Sequence, residues 1–261
     1  CSQRVCARTQ LQKASDPMVE RTSQLPAFLG RRVLDSVNRL GRMTLFFLRS
    51  GILIFTPPVK PYRVLEQIYF VGMKSLFVVC LTALFAGMVL GLQGYYSLVK
   101  FGSESMLGAA VALSLIRELG PVLAALMVTG RAGSSMAAEL GIMRISEQID
   151  ALDTMDIDPL KYLVSPRLLA SVICFPLLTA IFDVVGIIGG YFTAVILLGI
   201  NSGTFVARMQ ENVVMDDIAG GFLKSLVFAC LVAPICCFQG FNATERTGFG
   251  AKGVRYATTS A

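Results

Sequence analysis

The amino-acid sequence predicts an all-α membrane protein, an N-terminal interfacial amphipathic helix followed by four transmembrane helices. Three observations carry that prediction. Hydrophobic residues fill 54% of the 261 positions and charged residues only 15%, against about 25% charged in an ordinary soluble domain. The apolar residues gather into four runs, each reaching the ~20 residues that a bilayer crossing needs. Lys and Arg fall almost wholly on one side of those runs, the asymmetry that orients a chain in a membrane.

Residues 1–25 read as a disordered basic leader without the apolar stretch of a secretory signal. The chain opens on Cys1 rather than Met, which places its true start elsewhere. Residues 26–58 read as the interfacial helix. Leu29, Val33, Val37 and Leu40 keep helical spacing, with Arg31, Arg32, Arg39 and Arg42 between them. Such a helix lies among headgroups and sets its arginines on anionic lipid. The adjoining run from Leu45 to Phe55, closed by Pro57-Pro58, favours a membrane surface over a soluble helix.

Residues 59–261 make up the transmembrane domain, with spans expected at 68–92, 107–129, 168–198 and 221–241. The third is long enough to tilt, or to kink at Pro176. Tyr62, Tyr69, Tyr95, Tyr96 and Tyr162 fall near the span ends, where tyrosine sits at headgroup level. The first 67 residues are basic, as are the 131–167 loop (Arg131, Arg144, Lys161, Arg167) and the segment after the fourth span (Arg246, Lys252, Arg255). The opposite loops hold only Lys100 and Arg208. The positive-inside rule therefore puts the N-terminus, the 131–167 loop and the C-terminal segment in the cytoplasm of a multi-pass inner-membrane protein.

Composition also excludes chemistry. The chain has no His, so it carries no Ser-His nucleophile, no His-ligated metal and no imidazole relay. No CxxC pair occurs, and Cys80, Cys174, Cys230, Cys236 and Cys237 lie in apolar runs as small hydrophobes. No catalytic or metal site is expected, and no nucleic-acid partner. No GxxxxGK[ST] loop is present, so ATP-driven transport would need hydrolysis on another subunit. Gly87/Gly91 and Gly186/Gly190 each make a GxxxG, which permits close helix contact within the subunit or between two copies.

Two places stand out. Arg117 and Glu118 are adjacent inside the second apolar run. A charge at the bilayer centre costs roughly 2.5 kcal/mol or more, so the pair must face protein, water or a ligand headgroup. It reads either as a polar feature of a substrate cavity or as a structural ion pair with Asp183 or Lys224. Pro121 follows and predicts a bend, because it cannot donate an N–H. Asp183 is too short to reach an interface and is expected to have a partner; Lys74 and Lys224 are long enough to snorkel. The second place is residues 145–158. Ile145, Ile149, Leu152 and Met155 can form an apolar stripe flanked by Glu147, Asp150, Asp153 and Asp156, with Ser146 as cap and Pro159 as stop. A short amphipathic helix with nothing of its own to pack against suits a groove on a partner, and its acids disfavour anionic lipid.

The chain resembles the MlaE-type permeases, partners of MCE proteins in bacterial lipid trafficking. The resemblance covers roughly residues 60–260. It is carried by GMVLGLQGY at 87–95, LGAAVALSLIRELGPVLAALMVTGRAGSSMAAELGIMRISEQIDAL at 107–152, DPLKYLVSPR at 158–167 and RYATT at 255–259. It implies a homodimeric membrane core for an ABC transporter that moves phospholipid between inner and outer membranes and so maintains outer-membrane lipid asymmetry. It implies MlaF-like ATPases, which would hold the ATP and Mg, an MlaB-like STAS protein and an MlaD-like MCE hexamer. Arg117 and Glu118 match the family's charged pair at the lipid cavity, with Leu90, Tyr95 and Leu98 as its apolar wall. Glu147, Ile149, Asp150, Leu152 and Met155 match its coupling helix. The family has a fifth span, which would begin where this sequence ends, and it includes chloroplast relatives. The rival readings are a membrane-embedded lipid-metabolising enzyme and a small-molecule ABC importer permease.

Overall fold

Helix α1, Pro17–Ile54, is 38 residues long. It starts inside the stretch expected to be a leader; Pro at a first helical position suits a helix start, since its missing N–H would have had no partner. The structure, a computed structural model, describes residues 17–54 and 61–242, so Pro57-Pro58 and residues 1–16 lie outside it. Residues up to Leu48 form one unit and the chain from Arg49 onward a second. Within α1, Val33, Val37, Leu40, Leu45 and Leu48 are exposed. An amphipathic helix that leaves its apolar stripe uncovered is the kind that lies in a membrane interface.

Among the described residues of the second unit, every regular element is a helix. In order come α2 (Pro61–Val99), α3 (Glu104–Ile145), α4 (Gln148–Thr154), α5 (Leu160–Leu197), α6 (Ser202–Asn212) and α7 (Met215–Phe241). Helices α2, α3, α5 and α7 are each long and apolar enough to cross a membrane. The four-span expectation holds, but each helix starts earlier than expected, and α2 and α3 also run past their expected C-terminal ends. The clearest correction is residues 131–145, expected in a loop, which continue α3. No proline interrupts them, and Met136, Ala137, Leu140 and Gly141 bury one face. Helix α6 was not foreseen; Asn201 caps it by accepting the Gly203 N–H at 2.8 Å. Helix α5 continues through Pro176.

The two GxxxG motifs meet each other, on α2 and α5. A Cβ built on Gly87 would fall 1.8 Å from the Gly186 carbonyl oxygen, and one on Gly91 would fall 3.2 Å from that of Gly190. At Gly87 only a residue without a side chain permits that approach. Leu107, Leu115, Val128, Leu178 and Phe182 fill the core beside this seam. Helix α3 runs through the middle and contains two wide turns, Leu115–Leu119 and Thr129–Gly133, with π-helical bonding. The first of these shapes the site below.

Candidate functional site

In the wide turn of α3 the Gly120 N–H bonds the Leu115 carbonyl five residues back. The extra residue turns Arg117 and Glu118 outward while Leu115 and Ile116 stay buried. Helix continues across Pro121, directly after this π-helical turn. Pro121 still has no N–H to give the Arg117 carbonyl four residues earlier. Lys224 of α7 supplies one: its Nζ donates to the Arg117 carbonyl at 2.7 Å and to Glu118 Oε1 at 2.7 Å. Arg117 in turn donates from Nε to Asp217 Oδ1 at 2.7 Å. Asp217 is 9% exposed and its other oxygen accepts the Val214 N–H at 3.3 Å. A carboxylate there also complements the positive end of the α7 dipole. The backbones come close enough for this because Gly221 faces α3; a Cβ there would lie 2.6 Å from the Ile116 carbonyl oxygen.

Two helices thus contribute two cations and two carboxylates whose formal charges cancel. Asp217 was missed by sequence reasoning, although Asp216-Asp217 ahead of an apolar run is an ordinary helix-start signal. Lys224, for which both snorkelling and an ion pair with the Arg117–Glu118 pair were open, takes the second course and bridges to Glu118. Asp183, expected to be paired, has no ion pair among the described residues, and its Oδ1 is buried without a hydrogen-bond partner. It presses on Gly120, where a Cβ would meet it at 1.9 Å. The cations nearest in sequence logic, Arg117 and Lys224, are engaged by Asp217 and Glu118 on the exposed flank of α3. Lys74 lies over the Phe70 ring, 4.2 Å from its centroid.

Pairing does not hide the cluster. The Arg117 side chain remains 57% exposed and that of Glu118 71%. Arg117 lies thirteen residues into α3, about 20 Å from that end at 1.5 Å per residue. Charge open at such depth is costly against acyl chains.

The remaining candidates separate into two groups. Leu90, Tyr95 and Leu98 are half-buried against the core. The Ser103 N–H bonds the Leu98 carbonyl at 3.1 Å, and a Cβ on Gly94 would touch Leu107, so this stretch lies level with the start of α3. From Leu107 to Arg117 is about 15 Å along the helix. Tyr95 and Leu98 are therefore an apolar wall near the α2–α3 turn, outside the charged cluster, with Leu90 nearer to it. At the other end of α3, Ser146 does not cap α4. Its hydroxyl donates to the Ile142 carbonyl at 2.8 Å and closes α3, while Glu147, at φ 59°, makes the left-handed corner into α4. Ile149 is fully buried within its own chain, which corrects the expectation of an unpacked stripe. Asp150 pairs with Arg144. Met155 is 68% exposed, Leu152 is half-buried, and Glu147, Asp150, Asp153 and Asp156 are exposed.

Comparison with known proteins places these features in a family. A sequence profile described as Permease MlaE matches residues 64–261. The chain is 42% identical to the intermembrane phospholipid transport system permease protein MlaE of Haemophilus influenzae, over 88% of this chain and 87% of that one. It is 42% identical to a probable ABC transporter permease protein of Rickettsia bellii, over 89% and 88%. It is 36% identical to the chloroplastic protein TRIGALACTOSYLDIACYLGLYCEROL 1 of Arabidopsis thaliana, over 76% of this chain and 55% of that one.

Proposed function

The chain belongs to the MlaE permease family, and from that premise we propose that it is the membrane-spanning subunit of an ATP-driven complex that moves phospholipid between the inner and outer membranes. Its role is that of a transporter subunit rather than an enzyme. The observation that carries the reading is the Arg117–Glu118 pair, which stays open at mid-span although α7 supplies a counter-ion for each.

Such a pair needs a polar lining, and a second copy of the chain set against this face would enclose one. Within that chamber the outward edge of the Arg117 guanidinium would hold a lipid phosphate by charge-assisted hydrogen bonds. Glu118 and Lys224 keep the cluster neutral when no lipid is bound, so the empty chamber does not carry a bare cation. Leu90, Tyr95 and Leu98 would offer acyl chains an apolar surface nearer the α2–α3 turn. ATP and Mg would be held by ATPase subunits on the cytoplasmic side, with a STAS-domain protein on them and an MCE hexamer across the membrane. Helix α4 would receive the ATPase: Glu147 and Asp150 would present charge, Leu152 and Met155 apolar contact, and Ile149, buried within its own chain, would tie the helix to the rest of the subunit so that a push is transmitted. The N-terminus would be cytoplasmic and the membrane the inner one.

The test replaces Arg117 or Glu118 with Ala and reads outer-membrane detergent sensitivity together with lipid that co-purifies. Both variants should sensitise cells and lose bound phospholipid. Wild-type behaviour in both assays would remove the assignment.

A further inference from the structure

A polar cavity of about 270 Å³ lies where the ends of α2, α3 and α5 converge, far along α3 from Arg117. One wall is complete in itself. Arg167, 4% exposed, donates to the Met136 carbonyl at 3.2 Å and to Glu139 Oε2 at 3.0 Å. The other wall is not. Arg63 stacks on Tyr162, its guanidinium carbon 3.7 Å from the ring centroid, and donates to the Tyr162 hydroxyl. Among the described residues it has no carboxylate at ion-pair distance, and Glu66, one turn further on, has no cation. Gln67 Oε1 is buried and accepts no hydrogen bond. The α2 side of the cavity therefore offers, within about one turn, a guanidinium with no carboxylate at ion-pair distance and two acceptors, a carboxylate and an amide oxygen.

A single anion would satisfy only Arg63, and a single cation only Glu66 and Gln67. One small molecule with both groups satisfies all three, since a buried acceptor without a donor is costly and a charge-assisted bond is strong. The position agrees with this. Arg63 precedes the apolar stretch that opens near Ile68, which puts it at headgroup depth in the leaflet that the Lys and Arg distribution marks as cytoplasmic. The volume suits a headgroup and is too small for a whole lipid.

We propose that this cavity binds a zwitterion carrying a phosphate and an ammonium group, supplied by a phosphatidylethanolamine headgroup of the facing leaflet. The phosphate meets Arg63, and the ammonium donates to Glu66 and Gln67 Oε1. The site is separate from the mid-span cluster and does not depend on its role in transport.

The test uses the full chain, purified in detergent with whatever subunits accompany it, and native mass spectrometry with short-chain phosphatidylethanolamine and phosphatidylglycerol. The wild type should prefer phosphatidylethanolamine. Arg63→Ala should weaken its binding at least about tenfold, the cost of a lost charged hydrogen bond. Glu66→Gln should erase the preference while leaving phosphatidylglycerol binding in place. Glu66 is exposed and makes no ion pair, so this variant stays informative if loss of the Arg63–Tyr162 stack harms folding. Arg117→Ala should lose the mid-span lipid while the lipid still bound keeps the phosphatidylethanolamine preference, which separates the two sites. Excess soluble phosphoethanolamine is added in a parallel arm: failure to displace the lipid supports the membrane as source, and binding of phosphoethanolamine by a protein that binds no lipid there would overturn it. An unaltered lipid preference in both Arg63→Ala and Glu66→Gln would overturn the site.

Discussion

Lys224 Nζ lies 2.7 Å from the carbonyl oxygen of Arg117, the backbone acceptor that Pro121, with no N–H, cannot serve. A lysine on one span thus repairs a helix defect on another. The same ammonium neutralises Glu118, so one side chain ties backbone irregularity and charge balance together.

Lys224→Met should destabilise the protein, and Glu118→Gln should do so less. Combined, the two should fall short of additivity by about 0.6–1.7 kcal/mol, the range for polar contacts between membrane helices. Unfolding of the four proteins in one detergent gives the coupling; strict additivity would mean that the bond does not form.

Asp217 has two tasks that substitution can separate. Asp217→Asn keeps an oxygen for the Val214 N–H but loses the charge opposite Arg117. It should fold nearly as well as wild type and alter the amount of bound lipid. Asp217→Ala loses the helix-start bond as well and should cost roughly 0.5–2 kcal/mol more. Thermal melts and lipid extraction on both variants check this; equal melting temperatures would argue against the capping role.

Gly87 and Gly130 predict opposite outcomes for the same change. Gly87→Ala drives a methyl into the Gly186 carbonyl and should cost about 1–3 kcal/mol through forced backbone movement. Gly130 has open space around its Cβ position, so Gly130→Ala should be neutral or stabilising by up to about 1 kcal/mol through helix propensity. Melting temperatures of the pair provide the comparison.

On α4, burial distinguishes scaffold from contact surface. Ile149→Ala empties a fully buried site and should cost about 2–5 kcal/mol. Asp150→Lys with Leu152→Glu should leave the melting temperature within a few degrees of wild type but release the ATPase subunit in a pull-down. A retained partner would count against α4 as the docking element.

Much of this was legible in advance. Arg117 and Glu118 could be singled out because a charge in an apolar run is anomalous wherever the run folds. The Gly87/Gly91 and Gly186/Gly190 spacings announced close contact, though whether between copies or within one subunit was open until the two motifs were seen to face each other. Helix ends were less visible. Residues 131–145 mix polar and apolar side chains, so hydropathy ends the span while the helix goes on. Ile149 and Met155 look alike in sequence and lie on opposite sides of burial, because the left-handed corner at Glu147 rotates α4 against α3.

Hydropathy and charge are sums over neighbouring residues, and for that reason the amino-acid sequence alone determined the number of spans, their order, the basic side and the anomalous pair. Which charge meets which was decided only by tertiary structure. Arg117 finds Asp217 a hundred residues away, Lys224 finds Glu118, and Asp183 finds a glycine and, among the described residues, no ion-pair partner. Those outcomes depend on how each helix is rotated about its axis and how closely its neighbours approach, and both are set by wide turns and side-chain-free seams whose effect appears only when helices pack.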